Sequence, residues 1–323
     1  MRFENTRTML PRRFVHRAAY YTSSDHLVRV AVPIVEAALS QDLPVAVIAS
    51  AATERRLREV LGGSAGLIHL PPPDARLRGS GQAATSQRAR ELRELTDWAG
   101  PSVVLAEHHP HRAGIHPSAW LEADAANNLA LAALPITMTC LYPTDYPTGL
   151  ESETVSASVR WNHPELIGSD GSIRENPDVR TPAEVLTMYP VLAPVRLGPP
   201  DRELTFTPWQ LIDLRAAVAE ETDGLGLSQC RAQDFVLAVN EVASNAVEHG
   251  YGVGMLQMWR RPDRLICEVH DSGSLREPLP GLRPPHPSGQ RGRGMWIARQ
   301  LCDQLHVWSD VRGTHVRLQT ART

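Results

Sequence analysis

Short, nearly continuous apolar runs alternate with amphipathic segments over the first 190 residues, and this alternation restricts the fold more than any other feature. Such runs are typical of strands buried on both faces. The predicted strands are 45–49, 67–70, 103–106 and 136–142. The predicted helices are 25–39, 53–61, 86–98 and 118–131. Alternating strands and helices predict a parallel, doubly wound α/β domain.

Proline-rich stretches interrupt this pattern. Two of them, 71–82 and 143–182, are long, and we expect functional or mobile loops there. A third, 190–200, is rich enough in proline to mark a domain boundary. A chain of 323 residues also fits two domains of about 100 to 200 residues each. The sequence therefore predicts an N-terminal domain at 1–195 and a C-terminal domain at 200–323.

The pattern changes after residue 201. The predicted elements are helices 208–221 and 228–248, strands 255–260 and 265–270, a helix ending at 302, and strands 305–309 and 315–319. Thr207 precedes the first helix as its N-cap, and Pro208 occupies the first turn, which is a favoured arrangement. Helices followed by antiparallel strands with one further helix predict an α+β sandwich.

The second helix of this half carries two side-chain stripes. Its polar set, separated by seven, four and three residues, is Asp234, Glu241, Asn245 and Glu248. Its apolar set, about 100° further round, is Phe235, Val239, Val242 and Ala246. Each set lies on one helical face, and the apolar one is expected to face the core. A polar stripe is most often only a solvated surface, but an Asn is a mediocre helix former, so Asn245 indicates another role.

Glu241 and Asn245 fit a magnesium-triphosphate site. A magnesium ion on a triphosphate keeps most of its waters, and an Asn carbonyl can supply a protein oxygen without adding charge. A carboxylate one turn away can orient or deprotonate the attacking hydroxyl or water. Asn245 and Glu241 would supply these two roles.

A ligand-contacting turn is expected after the strand that ends near residue 270. The carboxylate of Asp271 can accept a hydrogen bond from an exocyclic amine such as that of adenine, and Gly273 lets a base approach the backbone. Alone, this Asp-x-Gly signal is also common in ordinary turns. Thr314, at the start of the last strand, has a hydroxyl that could reach the base or an ordered water.

A glycine-rich turn at 289–294 leads directly into the last helix. Glycines before a helix leave backbone N–H groups free to bind phosphate. Arg291 and Arg293 would add positive charge there. The preceding segment, 274–288, has five prolines and resembles a lid, although a plain surface connection is an equally good reading.

All 33 basic residues are arginines, because the sequence has no lysine. Walker-type phosphate loops and eukaryotic-type kinases place a lysine on the phosphates, and Schiff-base enzymes need its amine. The absence of lysine disfavours these three chemistries.

This half contains four motif-like segments: NEVASNAVEH, HDSG, GRGMWIARQLCD and GTHVRL. Taken in order, they resemble the N, G1 and G2 boxes and the terminal Gly-Thr strand of the gyrase/Hsp90/histidine-kinase/MutL (GHKL) ATPases. The resemblance implies ATP and Mg²⁺ as cofactors. It implies Glu241 as general base, Asn245 as Mg²⁺ ligand and Asp271 as adenine contact. The nucleotide-loop glycines would be Gly273, Gly292 and Gly294.

Within that superfamily, the N-box wording, the short lid and the GRGMWIARQLCD helix look most like the anti-sigma-factor serine kinases. This resemblance implies a transcription regulator that binds a sigma factor and phosphorylates a serine of its anti-anti-sigma protein. A homodimer is also in keeping with it, since homodimers are common in this branch.

The N-terminal half resembles the sensory domain named for methanogens and methylotrophs (MEDS), from FVHRAAYYTSSDHLVRVAVPIVEAAL through VAVIAS to NHPEL. That RecA-like α/β domain often precedes such ATPase domains in actinobacteria. The resemblance implies a small-molecule ligand for this half. There is no G-x-x-x-x-G-K-[ST] motif, so nucleotide hydrolysis is not expected here.

Histidines mark further candidate ligands in this half. A cluster follows Glu107, where ligands bind parallel sheets: His108, His109, His111 and His116. Its spacing matches no zinc motif, so a metal site is the minor reading. His16 and Tyr20 could contact a ligand, but a satisfied core pair is the favoured interpretation.

Charge and cysteine content point to a cytoplasmic protein with neither nucleic acid nor membrane as partner. The net charge is -3, which gives no basic footprint for DNA. The four cysteines are far apart and suggest neither a disulfide framework nor a zinc site. No stretch approaches the ~18 apolar residues of a membrane span.

Two alternatives stay open. One is a nucleotide- or partner-binding module without turnover. The other is a sensor histidine kinase, which needs a phosphoacceptor His in a helical hairpin before the N box. The candidate for that role is His163, but Pro164 follows it in a predicted loop.

Overall fold

The computed structural model describes residues 12–63, 66–71, 79–108, 117–144, 150–286, 288 and 292–322. The chain forms two compact units. The first consists of Met1–Arg78 and Arg88–Val185, and the second of Gly79–Gln87 and Leu186–Thr323.

The first unit contains a seven-stranded sheet with the order β3-β2-β4-β5-β1-β6-β7. Its strands are β1 (Val15–Tyr21), β2 (Val45–Ile48), β3 (Leu67–His69), β4 (Ser102–Glu107), β5 (Ile136–Pro143), β6 (Glu165–Ile167) and β7 (Ile173–Glu175). The helices up to the end of this unit are α1 (Ser24–Leu39), α2 (Ala51–Val60), α3 (Gly81–Ala99), α4 (Pro117–Ala130), α5 (Leu150–Asn162) and α6 (Pro182–Met188). All pairings are parallel except that of β6 with β7.

The two faces of this sheet differ in chemistry. One face packs apolar side chains such as Val47 and Leu105 against α1 and α2. On the other face, Asp124 of α4 accepts hydrogen bonds from Tyr142 of β5 and Ser158 of α5. Helices therefore cover both faces of a mostly parallel sheet, as predicted. The RecA-like assignment stays a prediction.

The prediction of a loop over 143–182 is wrong for the part that the structure describes. Helix α5 and strands β6 and β7 lie in this stretch. The sequence of α5 is rich in Ser and Thr, which favour caps and turns in isolation. Tertiary packing overrides that tendency, because Val155 and Val159 are buried in the fold.

The second unit is an α+β sandwich, as predicted, with an antiparallel sheet of order β11-β12-β10-β9-β8. Its strands are β8 (Arg202–Phe206), β9 (Gly254–Arg261), β10 (Arg264–Asp271), β11 (Gln304–Asp310) and β12 (Gly313–Ala321). Its helices are α7 (Leu211–Leu225), α8 (Gln229–His249) and α9 (Gly294–Leu301). A 3-10 turn at Pro208–Gln210 precedes α7, and Thr207 caps it with a capping box. Strand β8, five residues long, was not predicted.

Helix α8 crosses the core of this unit. Its predicted apolar stripe is buried, from Phe235 through Val239 and Val242 to Ala246, and packs with residues of α7 and the sheet. Ser228 accepts from the Arg231 amide as N-cap. The polar stripe is thereby held about 100° around α8 from the buried stripe.

The edge strand β11 is covered by the first turn of α3, which belongs to the second unit. The Gln82 side chain donates to the Val307 carbonyl and accepts from the Val307 amide, both at 3.0 Å. His306 Nε2 donates to the Leu192 carbonyl at 2.9 Å, and its Nδ1 lies 2.6 Å from Ser80 Oγ. These contacts satisfy backbone groups that an open sheet edge would expose.

Burial lowers the pKa of His306 to about 4. Its unfolded value is near 6.5, so below that pH the unfolded chain binds the proton and the folded one resists it. The contribution of His306 to the free energy of unfolding should be complete above pH 6.5. It should fall by about 1.4 kcal/mol per pH unit between pH 6.5 and 4. His306→Gln should flatten that slope in hydrogen exchange of the β12 amides. The exposed His286→Gln should leave it as in the wild type, and an equal effect of both variants would contradict the assignment.

Candidate functional site

The side chains on the predicted polar face of α8 are buried to different extents. Asp234, Glu241 and Asn245 are half-buried, and Glu248 is exposed. Since Glu241 and Asn245 lie one helical turn apart and are only partly buried, their oxygens can contact a ligand held beside the helix.

The first residue of α9 lies directly against this pair. A Cβ built on Gly294 would be 2.7 Å from Glu241 Oε2 and 3.3 Å from Asn245 Nδ2. Only a glycine leaves both side chains undisturbed at this spacing. The structure therefore brings the end of the glycine-rich turn and the Glu241–Asn245 pair together.

Helix α9 begins without a side-chain cap. Arg293 occupies the N-cap position and its side chain makes no capping hydrogen bond. Gly292 has φ +82°, a conformation that favours glycine. The uncapped amides and the helix dipole favour an anion at this end. Arg293 is exposed, and Arg291 lies outside the described residues.

A second set of groups meets where β10 ends. Asp271 is paired with Thr314 of β12. Its Oδ1 accepts from the Gly273 amide at 2.7 Å, and Thr314 Oγ1 donates to the Gly273 carbonyl at 3.0 Å. Within the described ranges, no hydrogen bond to Asp271 Oδ2 is formed, so this oxygen is available to a donor. Burial raises the pKa of the Asp271 carboxyl.

Close backbone contacts fix this turn against the end of α8. A Cβ on Gly273 would lie 2.4 Å from the His249 carbonyl oxygen, and one on Gly250 would lie 2.4 Å from Asp271 Cβ. At ~1.5 Å rise per residue, Asn245 is ~8 Å and Glu241 ~14 Å along the helix from Gly250. The two sets of groups therefore lie along one helix, as the base and phosphates of an extended nucleotide require.

The segment 274–288 is anchored in its middle. Leu279 and Leu282 are buried, and Gly281 lies against the Met295 backbone at the start of α9. The Pro280 carbonyl accepts from Arg299 Nε at 2.8 Å. This part of the segment is therefore packed on α9, which the sequence left undecided.

Arg299 is the residue in this region that sequence reasoning missed. It is 1% exposed, and it donates to Gln82 Oε1 at 2.8 Å and to the Leu305 carbonyl at 3.2 Å, besides Pro280. In the sequence it reads as one more basic residue in the last turn of a short helix, so no local signal marks it.

The histidine cluster predicted in the first unit falls mostly outside the described residues, which exclude His109, His111 and His116. His108 is buried, and its ring stacks on Tyr142 with 4.3 Å between centroids. His16 is also buried, but Tyr20 is 43% exposed, so the interpretation of these two residues as a core pair is wrong.

The residues present fit Mg-ATP on chemical grounds. Asn245 offers an uncharged carbonyl oxygen suited to Mg²⁺, and Glu241 offers a carboxylate beside it. Gly294 supplies a cradle that a Cβ would fill, next to amides suited to phosphate. Asp271 offers an acceptor for an exocyclic amine.

Comparison with known proteins gives one family. Residues 204–320 match the family described as Histidine kinase-like ATPase domain. The match spans all eight predicted site residues that the structure describes, from Glu241 to Thr314, and supports a C-terminal domain of the GHKL type that binds ATP. No curated protein matches the chain. Among the described helices, none has the length and apolar character that a bilayer-spanning segment needs.

Two glycines allow a matched test of this geometry. In Gly294→Ala the new methyl group meets the end of the flexible Glu241 side chain, so stability should change by less than about 1 kcal/mol while ATP-analogue binding weakens. In Gly250→Ala the methyl group meets the Ala246 carbonyl oxygen at 2.4 Å, which should cost about 1–3 kcal/mol. Urea unfolding and analogue titration measure both. Wild-type binding by Gly294→Ala would contradict the site.

Proposed function

We propose that the second unit binds Mg-ATP and transfers the γ-phosphoryl group to a serine of a protein antagonist, as an anti-sigma-factor kinase. The observation that carries this proposal is the contact of Gly294 with Glu241 and Asn245. This contact puts the candidate general base, Glu241, and the candidate magnesium ligand, Asn245, beside the N-terminus of α9, which suits phosphate.

Each residue has a role that follows from its chemistry. Asn245 would hold Mg²⁺ through its amide oxygen, and bound Mg²⁺ would neutralise charge on the phosphates. Glu241 would accept the proton of the attacking serine hydroxyl. The α9 amides and Arg293 would bind phosphate oxygens. Asp271 would accept from the adenine amine, with Thr314 positioning its turn.

A protein serine is favoured over a histidine as acceptor. His163, the candidate phosphoacceptor, is 0% exposed and its Nδ1 lies against backbone carbonyls of α5. A histidine so enclosed cannot reach a phosphoryl donor. Helix α7, which precedes the N-box helix, contains no histidine, so it lacks the acceptor that a histidine kinase carries there.

The partners follow from the branch that the motifs resemble. We propose a sigma factor and its anti-anti-sigma protein as the partners, with a small-molecule signal received by a MEDS-type first unit and a homodimer as the assembled form. In this scheme the protein acts in the cytoplasm on transcription through proteins, without contacting DNA itself.

Substitutions of Glu241 and Asn245 test the kinase. Glu241→Gln should lower serine phosphorylation of the antagonist by at least about 100-fold, since general-base catalysis contributes that much, while ATP affinity stays within about two-fold. Asn245→Ala should remove the Mg²⁺ dependence of ATP binding. Phosphoserine is measured by mass spectrometry and binding by titration of a fluorescent ATP analogue.

The controls lie on the same helix. Glu248→Gln and Asn240→Ala change exposed or partly exposed members of α8 and should leave both readouts unchanged. If the wild type binds Mg-ATP but produces no phosphoserine on any candidate antagonist, the alternative of a binding module without turnover would be favoured. Failure of the wild type to bind ATP would refute both readings.

Asp271 should set the choice of base. In Asp271→Asn the Oδ1 atom can still accept from the Gly273 amide, which turns Nδ2, a donor, toward the adenine amine. Two donors then face each other at a cost of about 1–3 kcal/mol, so ATP affinity should fall about 5- to 150-fold. GTP, which has an acceptor at that position, should lose less or gain. Equal losses of affinity for ATP and GTP would mean that the base does not contact Asp271.

A further inference from the structure

Four potential metal ligands converge inside the first unit, far from the ATP site in sequence. They come from four places in the chain: His16 of β1, Asp124 of α4, Cys140 of β5 and His163, just after α5. Their ligand atoms all lie within 4.8 Å of one another. None of the four side chains is more than 1% exposed.

Hydrogen bonds fix the orientation of the His16 ring. Asn128 Nδ2 donates to the Asn162 carbonyl at 2.8 Å, so Asn128 Oδ1 points the other way, to His16 Nδ1 at 3.0 Å. His16 therefore donates from Nδ1, and the lone pair of its Nε2 points into the cluster, 3.3 Å from Cys140 Sγ.

The His163 ring is oriented in the same sense. Its Nδ1 lies 3.2 Å and 3.3 Å from the carbonyl oxygens of Val159 and Ser158, so Nδ1 carries the hydrogen. Its Nε2 is buried and has no hydrogen-bond partner among the described residues. A second imidazole lone pair thus points into the cluster.

Asp124 contributes an acceptor as well. Its Oδ2 accepts from the Tyr142 and Ser158 hydroxyls. Its Oδ1 is buried without a hydrogen-bond partner in the described part of the chain, and lies 3.9 Å from His16 Nε2. The carboxylate is held by one oxygen and presents the other.

These groups do not satisfy one another. Two imidazole lone pairs and a carboxylate oxygen face a single thiol hydrogen, and buried acceptors without donors are costly. A cation at the centre would satisfy all of them. With bonds of about 2.0–2.3 Å, ligand atoms around tetrahedral zinc lie about 3.4 Å apart, close to the 3.3 and 3.9 Å found here.

We propose that His16, Asp124, Cys140 and His163 bind one Zn²⁺ ion in a closed, four-ligand site. Nitrogen, sulfur and oxygen donors together are a zinc-type set, and four protein ligands leave no open position, as in structural sites. On binding, the Cys140 S–H bond breaks, its proton leaves to solvent, and the thiolate bonds the metal. Asn128, Tyr142 and Ser158 would be the outer shell that orients the ligands.

Cobalt replaces zinc as the spectroscopic probe. The full chain, produced in cells supplied with Co²⁺ and purified without a metal-binding tag, should contain about one Co²⁺ per chain. It should show a thiolate-to-cobalt charge-transfer band and the intense visible bands of tetrahedral Co²⁺. The variant Cys140→Ser should lose the charge-transfer band, and the exposed Cys230→Ser should keep it.

Variants of the other ligands extend the test. His163→Gln and the nearly isosteric Asp124→Asn should each lower Zn²⁺ affinity at least ten-fold in competition with a chromophoric chelator. Asn128→Ala, which changes only the outer shell, should lower it about 10- to 100-fold. Circular dichroism establishes that each variant is folded.

The wild-type spectrum alone can overturn the proposal, whether or not every variant folds. A folded wild-type chain with no bound metal, or with cobalt but no thiolate band, would assign the cluster to an ordered water or a protonated carboxylate. A thiolate band that persists in Cys140→Ser would move the metal elsewhere. These results are independent of ATP binding, so they leave the proposed kinase function untouched.

Discussion

The close approach of two glycines to side chains of the candidate site is the constraint on which this site depends. Gly250 lets the C-terminal end of α8 reach Asp271, and Gly294 lets the start of α9 reach Glu241 in the middle of α8. At Gly250 the interior cannot absorb an extra methyl group, because the Ala246 carbonyl oxygen would lie 2.4 Å from it. At Gly294 a methyl group would meet the end of the Glu241 side chain, so the effect there falls on the candidate site more than on stability. The two glycines therefore set the spacing between the proposed base-binding and phosphate-binding groups.

Much of this site could be predicted because its signals are local. The seven-, four- and three-residue spacing on α8 and the glycines before α9 are periodic or short-range features, and the structure places Glu241, Asn245 and Gly294 together. The Arg299 contacts could not be found this way, because its partner Gln82 lies 217 residues away. Helix α5 was missed since its Ser and Thr content mimics a loop.

The buried cluster of the first unit shows a different limit. Cysteine spacing argued against zinc, yet Cys140 meets His16 across 124 residues of sequence. Parallel strands place residues side by side that are far apart along the chain, so a ligand set distributed over β1, α4, β5 and the end of α5 has no motif. One face of that sheet is an ordinary apolar core, and the other concentrates its polar groups.

The Arg299 side chain has a mechanical consequence for the segment 274–288, which packs on α9. Its guanidinium holds carbonyls from two separate backbone stretches at once, Pro280 and Leu305. Lifting the first away would strip an acceptor from a buried cation, which costs about 1–3 kcal/mol. One buried guanidinium therefore ties the middle of this segment to the start of β11.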